Sequence, residues 1–490
     1  QLAPNYSKLD FALRSIGYNF EAAVADIIDN SIDAKASNVL IRLFASRAGT
    51  LDLAIWDNGH GMSDGTLREA MRFGADVSNE IERLGKFGLG LKLASLSQAK
   101  ELRVVTIQNR EAAGRGWLEQ GIASGFMSTV FETNECKRML AQVVPDKMRS
   151  ESGTLVWWSH LYRGTQYKGT VEERAQKLVR RLENYLALAF HKFLSNRASK
   201  LSITIDIFDE ATGRSGLPAR VDPLDPFGYT QSGHPGFPAA LNLDGDFAGK
   251  LSLKGHIWPP NSNAPEYKLP GGSNAKQGFY FYRNNRLIQA GGWNGIREVE
   301  PHSSLARVEV HVQPTLDLEL SLDVKKVEIQ LPAEISDAIQ RAKTSAGVDF
   351  KRYLSLANEA YRKKSLADHE LPLVPSMGLP AELCRFLLKD SGLKASDRYR
   401  ELRIRWSDLD DETFVDIDTD RGELFINRGF RKALLHGLQG SAADVPVVKC
   451  LLFLLLEDAL TSGRMGSKLR EKIERLNRVM IEAVKHERWD

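Results

Sequence analysis

With 66 Lys and Arg against 63 Asp and Glu, the 490-residue chain carries too little net charge to be drawn wholesale onto nucleic acid, although a local basic patch stays open. Its length allows about three domains. Three scattered cysteines, Cys136, Cys384 and Cys450, exclude a disulfide framework and a structural zinc site and suit a reducing compartment. There is no apolar signal region at the start, and the longest apolar run, Cys450 to Leu456, is far too short to span a bilayer. That run is expected to be a buried helix, and a cytoplasmic protein without a membrane contact is expected.

Tyr6, Leu9, Phe11, Leu13 and Ile16 suggest a lead-in helix that ends near Gly17. Ala25 to Ala34 reads as the helix around which the chain is organised. At about 100° per residue, Asp26, Asn30 and Asp33 form one polar stripe. Val24, Ile27, Ile28 and Ser31 lie opposite and can pack on a sheet. Acid, amide and acid on one face can hold a divalent metal through oxygen and keep a water beside it. A solvated face of an amphipathic helix is the plainer reading of the same residues.

Val39, Ile41 and Leu43 alternate with Asn38 and Arg42, the period-two pattern of a strand. Leu51 to Asp57 is a second strand, ending in the glycine turn Asp57-Asn58-Gly59-His60-Gly61-Met62. Ser63 or Asp64 can cap a helix through Leu67, Ala70 and Met71. Leu84-Gly85-Lys86-Phe87-Gly88-Leu89-Gly90-Leu91-Lys92 then leads into a helix that continues to about Ser97. Its glycines let backbone N–H groups approach an anion, the helix N-terminus favours negative charge, and Lys92 adds a cation.

Leu102 to Ile107 and Gly153 to Trp158 read as strands, and residues 109–150 as strands with loops. A long amphipathic helix runs from Val171 to Phe193. Alternation returns at Leu201 to Phe208, which is expected to open a second unit with strands at Leu251–Trp258, Gly278–Tyr282 and Leu305–Val312. A long, charge-laced helix is expected over 333–365. Beyond a Pro-rich linker, strands at Thr413–Ile417 and Glu423–Ile426 flank a turn. The last helix carries Leu469, Ile473, Leu476, Met480 and Val484 as a core stripe. The expected division is 1–198, 199–365 and 366–490.

Four motifs in the first unit, in this order, resemble the boxes of the GHKL ATPase superfamily (gyrase, heat-shock chaperones, histidine kinases, MutL). Asp26-Ile27-Ile28-Asp29-Asn30-Ser31 with Asp33-Ala34 resembles the N-box. Asp57 to Met62 resembles the adenine box, Gly85 to Gly90 with Lys92 the lid-hinge phosphate box, and Gly153-Thr154 the last box. The resemblance implies an α+β chain: a Bergerat-type ATPase α/β sandwich, an S5-like transducer domain, and a small mixed α/β C-terminal domain of unknown role. It also implies ATP and Mg²⁺ as ligands. Asn30 would bind the Mg²⁺, with Asp33 in the same box. Asp57 would accept from the adenine amino group, with Thr154 in support and Gly59, Gly61 and Met62 around it. Gly85, Lys86, Phe87, Gly88, Leu89 and Gly90 would close over the phosphates with Lys92 nearby, as part of a lid from Phe73 to Gly90.

The family usually places Glu four residues before the metal-binding Asn, where this chain has Asp26. Asp26 is taken as the base, one methylene shorter, with Asp29 as the fallback. Asp323-Val324-Lys325-Lys326-Val327-Glu328-Ile329 resembles the transducer segment whose lysine reaches the γ-phosphate, which points to Lys326, with Lys325 second. Tyr282-Arg283-Asn284-Asn285-Arg286-Leu287-Ile288 resembles a run in MORC proteins. A histidine kinase is disfavoured, because only about 20 residues precede the N-box. The implied activity is ATP-gated homodimerisation acting on double-stranded DNA. The alternatives are a chaperone-like or signalling ATPase with a protein client, engaged through the C-terminal domain, and a slow-turnover ATP sensor. Arg174, Lys177, Arg180 and Arg181 on the long helix could touch DNA phosphates, or pair with Glu172, Glu173 and Glu183.

Overall fold

The computed structural model describes residues 19–72, 90–123, 127–162, 169–196 and 201–486, apart from 248, 261, 263, 317–328, 370–371, 395, 398, 420, 436–439, 442 and 463–466. The expected lead-in helix, the lid up to Leu89, and Lys325 and Lys326 lie outside these residues.

Helix α1 (Phe20–Asp33) starts where the Asn19 side chain accepts from the Glu21 N–H at 3.1 Å, leaving the following amides to the helix. Its environment differs from the expected half-solvated one. Residues 20–29 and Ser31 are all buried, including Asp26 and Asp29, and only Asn30 is exposed. Strand β1 (Asn38–Ala45) follows and pairs antiparallel with β2 (Leu51–Asp57). Both faces of β1 are covered. Val39, Ile41 and Leu43 join α1 in one core, while Leu40 and Phe44 join a second core on the other face. Arg42, expected only to alternate outward, is buried beside Asp206 at 2.7 Å.

Ser63 caps α2 (Asp64–Met71), accepting from the Thr66 N–H. Helix α3 (Gly90–Gln98) leads into β3 (Ala99–Gln108), β4 (Glu111–Trp117) and the short β5 (Thr129–Phe131). The stretch expected to hold only strands and loops also contains α4 (Thr133–Val143), whose Cys136, Leu140 and Val143 fill the second core. Strand β6 (Gly153–Leu161) inserts between β2 and β3. Helix α5 (Val171–Ala189) opens with a Thr170–Glu173 capping box and buries Ala175, Leu178, Leu182 and Leu186 at helical spacing against the sheet. Each such buried leucine contributes about 2 kcal/mol. A short helix α6 (His191–Ser195) continues the expected long helix after a break at Phe190.

Strand β7 (Ser202–Asp209), expected to open the second unit, joins the first sheet. It pairs parallel with β1 over its whole length and carries β8 (Arg214–Ser215) and β9 (Ala219–Arg220) with it. The first sheet therefore runs β5-β4-β3-β6-β2-β1-β7-β8, and its chain extends well past residue 198. Residues 201–208 alternate as a strand does in either sheet, so periodicity could not decide which sheet they join.

The second sheet has the order β10-β11-β14-β12-β13, from β10 (Ala239–Leu241), β11 (Leu251–Ile257), β12 (Gly278–Arg283), β13 (Arg286–Ala290) and β14 (Ala306–Val312). Asn284 and Asn285 connect β12 to β13 with φ of 47° and 65°, the left-handed pair that a two-residue hairpin turn requires. The expected single helix at 333–365 is two, α7 (Ala333–Arg341) and α8 (Phe350–His369), packed on this sheet through Ile335, Ile339, Phe350 and Tyr353.

The third sheet, β15-β16-β18-β17, comprises β15 (Leu373–Met377), β16 (Arg400–Ser407), β17 (Val415–Asp418) and β18 (Glu423–Asn427). Helices α9 (Ala381–Asp390), α10 (Pro446–Ser462) and α11 (Ser467–His486) cover it. Helix α10 is only half buried, contrary to expectation. Leu452, Phe453 and Leu456 face the core, whereas Val447, Leu451, Leu454 and Leu455 are exposed. Of the expected stripe on α11, Ile473 is buried in the core, and Leu476, Met480 and Val484 pack against it. The protein is an α+β chain in which antiparallel pairing dominates the sheets. Among the described residues, no helix is long and apolar enough to cross a membrane.

Candidate active site

The site is built where α1, the end of β2 and the start of β6 meet. Asp57 is the last residue of β2 and is paired in register with Thr154. The residue is only 6 % exposed. The Ser31 hydroxyl, from the sheet-facing side of α1, donates to Asp57 Oδ2 at 3.0 Å, and the Gly59 N–H donates to Oδ1 at 2.9 Å. Burial pushes Asp57 up from the ordinary 3.8 to about 6, against the opposing pull of the Gly59 amide, Ser31, His60 and Thr154. A carboxylate oxygen with one donor keeps room for another.

The glycines of the turn are required by space. A side chain at Gly59 would begin 2.7 Å from the Ala34 β-carbon, and one at Gly61, where φ is +66°, 1.9 Å from the Ile107 carbonyl oxygen. The turn is pinned on both sides: the His60 N–H donates to the Ala34 carbonyl at 3.0 Å, and the Met62 N–H to Thr106 Oγ1 at 2.8 Å. Thr106 in turn donates to the Gly153 carbonyl at 3.1 Å and sits 3.4 Å from the Thr154 hydroxyl. One threonine thus ties the adenine-like box to the last box.

On α1, Asp26 is buried, Asn30 is exposed and Asp33 is half-buried. Gly90 opens α3 beside Asp26, since a side chain there would begin 3.8 Å from Asp26 Oδ2. The end of the glycine-rich box therefore meets the carboxylate proposed as base. Helix α3 is held by Trp158, whose indole N–H donates to Ser95 at 2.8 Å. Lys92 on α3 is buried, and desolvation holds its ammonium below the ordinary lysine value. Gly85, Lys86, Phe87, Gly88, Leu89 and Lys326 lie outside the described residues.

The structure thus brings together Asp26 with Gly90, and Asp57 with Gly59, Gly61, Met62 and Thr154. Ser31 and Thr106 were not picked out from the sequence. Their signal was faint: a hydroxyl on an otherwise apolar helix back, and a threonine in a valine-rich strand. The donor set suits Mg²⁺ bound with a nucleotide, because that ion takes one or two protein oxygens and completes its shell with phosphate and water. Gly59 and Gly61 let the turn pack against Ala34 and Ile107, which holds Asp57 in place at its start.

Residues 18–126 match the family model described as histidine kinase-, DNA gyrase B-, and HSP90-like ATPase. This segment is similar to the ATPase domains of that description. It holds α1, β1, β2, α3 and β3, and with them every described candidate except Thr154. No curated protein matches the chain. Among solved structures, one titled as the N-terminal domain of a DNA repair protein aligns with 15 % identity and a TM-score of 0.40, over 74 % of this chain and all of its own.

Three of the four basic residues named on α5 have contacts within the protein. Arg181 pairs with Glu21 at 2.8 Å, Arg174 donates to the Gly49 carbonyl at 2.7 Å, and Arg180 lies 3.5 Å from Asp408.

Proposed function

We propose that the chain binds ATP with Mg²⁺ and hydrolyses it, and that ATP draws two copies together to act on double-stranded DNA. The buried Asp57 carboxylate carries the first part. Ser31 and Gly59 orient it at the mouth of a glycine turn, where it can accept from an adenine amino group. Thr154 supports that contact. Asn30, exposed one turn beyond Asp26, offers its amide oxygen to the metal, with Asp33 a turn further on. Bound Mg²⁺ would neutralise charge on the phosphates.

Asp26 takes a proton from the attacking water. Its reach is one methylene shorter than that of glutamate, and proton transfer works at about 3 Å, so turnover is slow. Gly85 to Gly90, with Lys86, Phe87 and Leu89, would close over the phosphates, and Lys92 would add positive charge. Lys326, or Lys325 beside it, would meet the γ-phosphate and bias the closed, paired state.

A MORC- or MutL-like role on DNA in the cytoplasm rests on the order of the boxes and on the Tyr282 to Ile288 run. One observation favours a protein client instead. The apolar residues Val447, Leu451, Leu454 and Leu455 form an exposed face on α10 of the C-terminal domain. The test is steady-state ATP turnover with Mg²⁺, with and without long double-stranded DNA, beside Asn30→Ala. Stimulation by DNA that is lost in Asn30→Ala is expected. Turnover indifferent to DNA refutes the DNA reading, and a protein that stays monomeric by light scattering with a nucleotide analogue refutes the pairing.

A further inference from the structure

The second sheet reaches the ATPase centre through one buried side chain. Arg286 opens β13, directly after the Asn284-Asn285 turn, and is 5 % exposed. Its Nε donates to Asp29 Oδ1 at 3.1 Å, and its guanidinium lies 4.3 Å from the centre of the Phe190 ring. Asp29 is 1 % exposed. It precedes Asn30 and stands three residues after Asp26, so all three share about one turn of α1. Burial opposes the charge on Arg286, but Asp29, Tyr185 and Asp26 more than offset it, leaving its pKa above the ordinary value.

The hairpin that carries Arg286 is bolted in place. Three consecutive residues after α5 each hold one side chain of the second sheet. Phe190 stacks on Arg286, His191 shares a hydrogen bond with the Tyr282 hydroxyl at 2.8 Å, and Lys192 donates to Glu309 at 2.5 Å. Lys192 also lies 4.1 Å from the centre of the Tyr282 ring. Tilting the second sheet would therefore move Arg286, and Arg286 is bonded to the helix that presents Asp26 and Asn30.

We infer that Arg286 is a positioning residue of the ATPase centre. Through Asp29 it fixes the rotation of α1, and so sets where the Asp26 carboxylate and the Asn30 amide point. The inference rests on the ATPase reading above and adds the second domain to the catalytic apparatus. Its contacts are to the protein, not to the reacting atoms. Loss of Arg286 should therefore show in kcat more than in ATP affinity. Lysine cannot both stack flat on Phe190 and bond Asp29, so it replaces arginine only in part.

The experiment measures kcat, KM and the affinity for a fluorescent ATP analogue in the wild type, Arg286→Lys, Arg286→Gln, Asp29→Asn and the double variant Asp29→Asn/Arg286→Gln. The double variant buries an amide pair that can bond to itself and leaves no orphan charge, so it carries the test if Arg286→Gln fails to fold. Expected are a fall in kcat of at least tenfold for Arg286→Gln and for the double variant, with affinity within threefold of wild type, and an intermediate kcat for Arg286→Lys. Wild-type kcat in a folded Arg286→Gln overturns the inference. So does full recovery of kcat in the double variant, because the removed charge would then be the whole defect. A wild type that neither binds nor hydrolyses ATP overturns the ATPase reading itself, and this inference with it.

Discussion

Replacing Asp57 by Asn separates what the site needs from what the fold prefers. The rise of this carboxyl from 3.8 to about 6 on burial means that its ionised form opposes folding by about 3 kcal/mol at neutral pH, at about 1.4 kcal/mol per pH unit. An asparagine keeps an oxygen for the Gly59 N–H and turns its amide N–H toward Ser31. The Ser31 hydroxyl can accept it and donate instead to the Ile27 carbonyl, already 3.3 Å away. No buried group is orphaned, so the variant should be more stable by about 1–3 kcal/mol, a rise in Tm of about 5 °C. ATP affinity should fall about ten- to hundredfold, since an amide donor would face the adenine amino donor. The pH dependence follows from the folded carboxyl titrating above the unfolded one. The folded state takes up the extra proton between about pH 6 and 3.8, so the wild type gains stability relative to the variant as pH falls through that window, and the gap closes. Wild-type ATP affinity weakens over the same descent below about pH 6. Scanning calorimetry from pH 4.5 to 8, with nucleotide titration alongside, reads both. A variant less stable than wild type at pH 7.5, or one that binds ATP as well, refutes the reasoning.

Gly61→Ala should destabilise by more than about 2 kcal/mol in urea unfolding and abolish nucleotide binding, because φ is positive and the new methyl meets the Ile107 carbonyl. An unchanged urea midpoint would show that the turn has room to move. Arg42→Met leaves Asp206 charged at 0 % side-chain exposure and should cost about 3–5 kcal/mol, whereas Arg42→Met/Asp206→Leu should recover most of it. Equal losses in the two, measured in the same denaturant series, would argue against an orphaned charge. Asp26→Glu should raise kcat by restoring the missing methylene. No gain at saturating ATP would count against Asp26 as a base that falls short.

Much of the candidate site's geometry was legible because its spacing is local. Asp57, Gly59, Gly61 and Met62 are one turn, and Asp26, Asn30 and Asp33 are two turns of one helix. Their spacing alone brings them together, whatever the rest of the chain does. The roles of Ser31 and Thr106 were not legible because they depend on a neighbour far away in sequence. Ser31 matters only once β2 delivers Asp57 to it, and Thr106 only once β6 lies beside β3. Helix α4 was missed in a stretch where Cys136, Leu140 and Val143 mark its buried side among charged residues.

Local patterns by themselves determined the helix that bears Asp26 and Asn30, the glycine turn after β2, and the Asn-Asn hairpin. Each follows from steric limits on φ or from a repeat of 2 or 3.6 residues. Tertiary structure alone decided that β7 completes the first sheet, that α1 is buried almost all round, and that half of α10 is left bare. A period of two says that a strand has two faces but not which sheet covers them, and an apolar run says nothing of how much partner surface exists to bury it. The contact of Arg286 with Asp29 lies 257 positions apart in the chain, and only the packing of two sheets against one helix joins them.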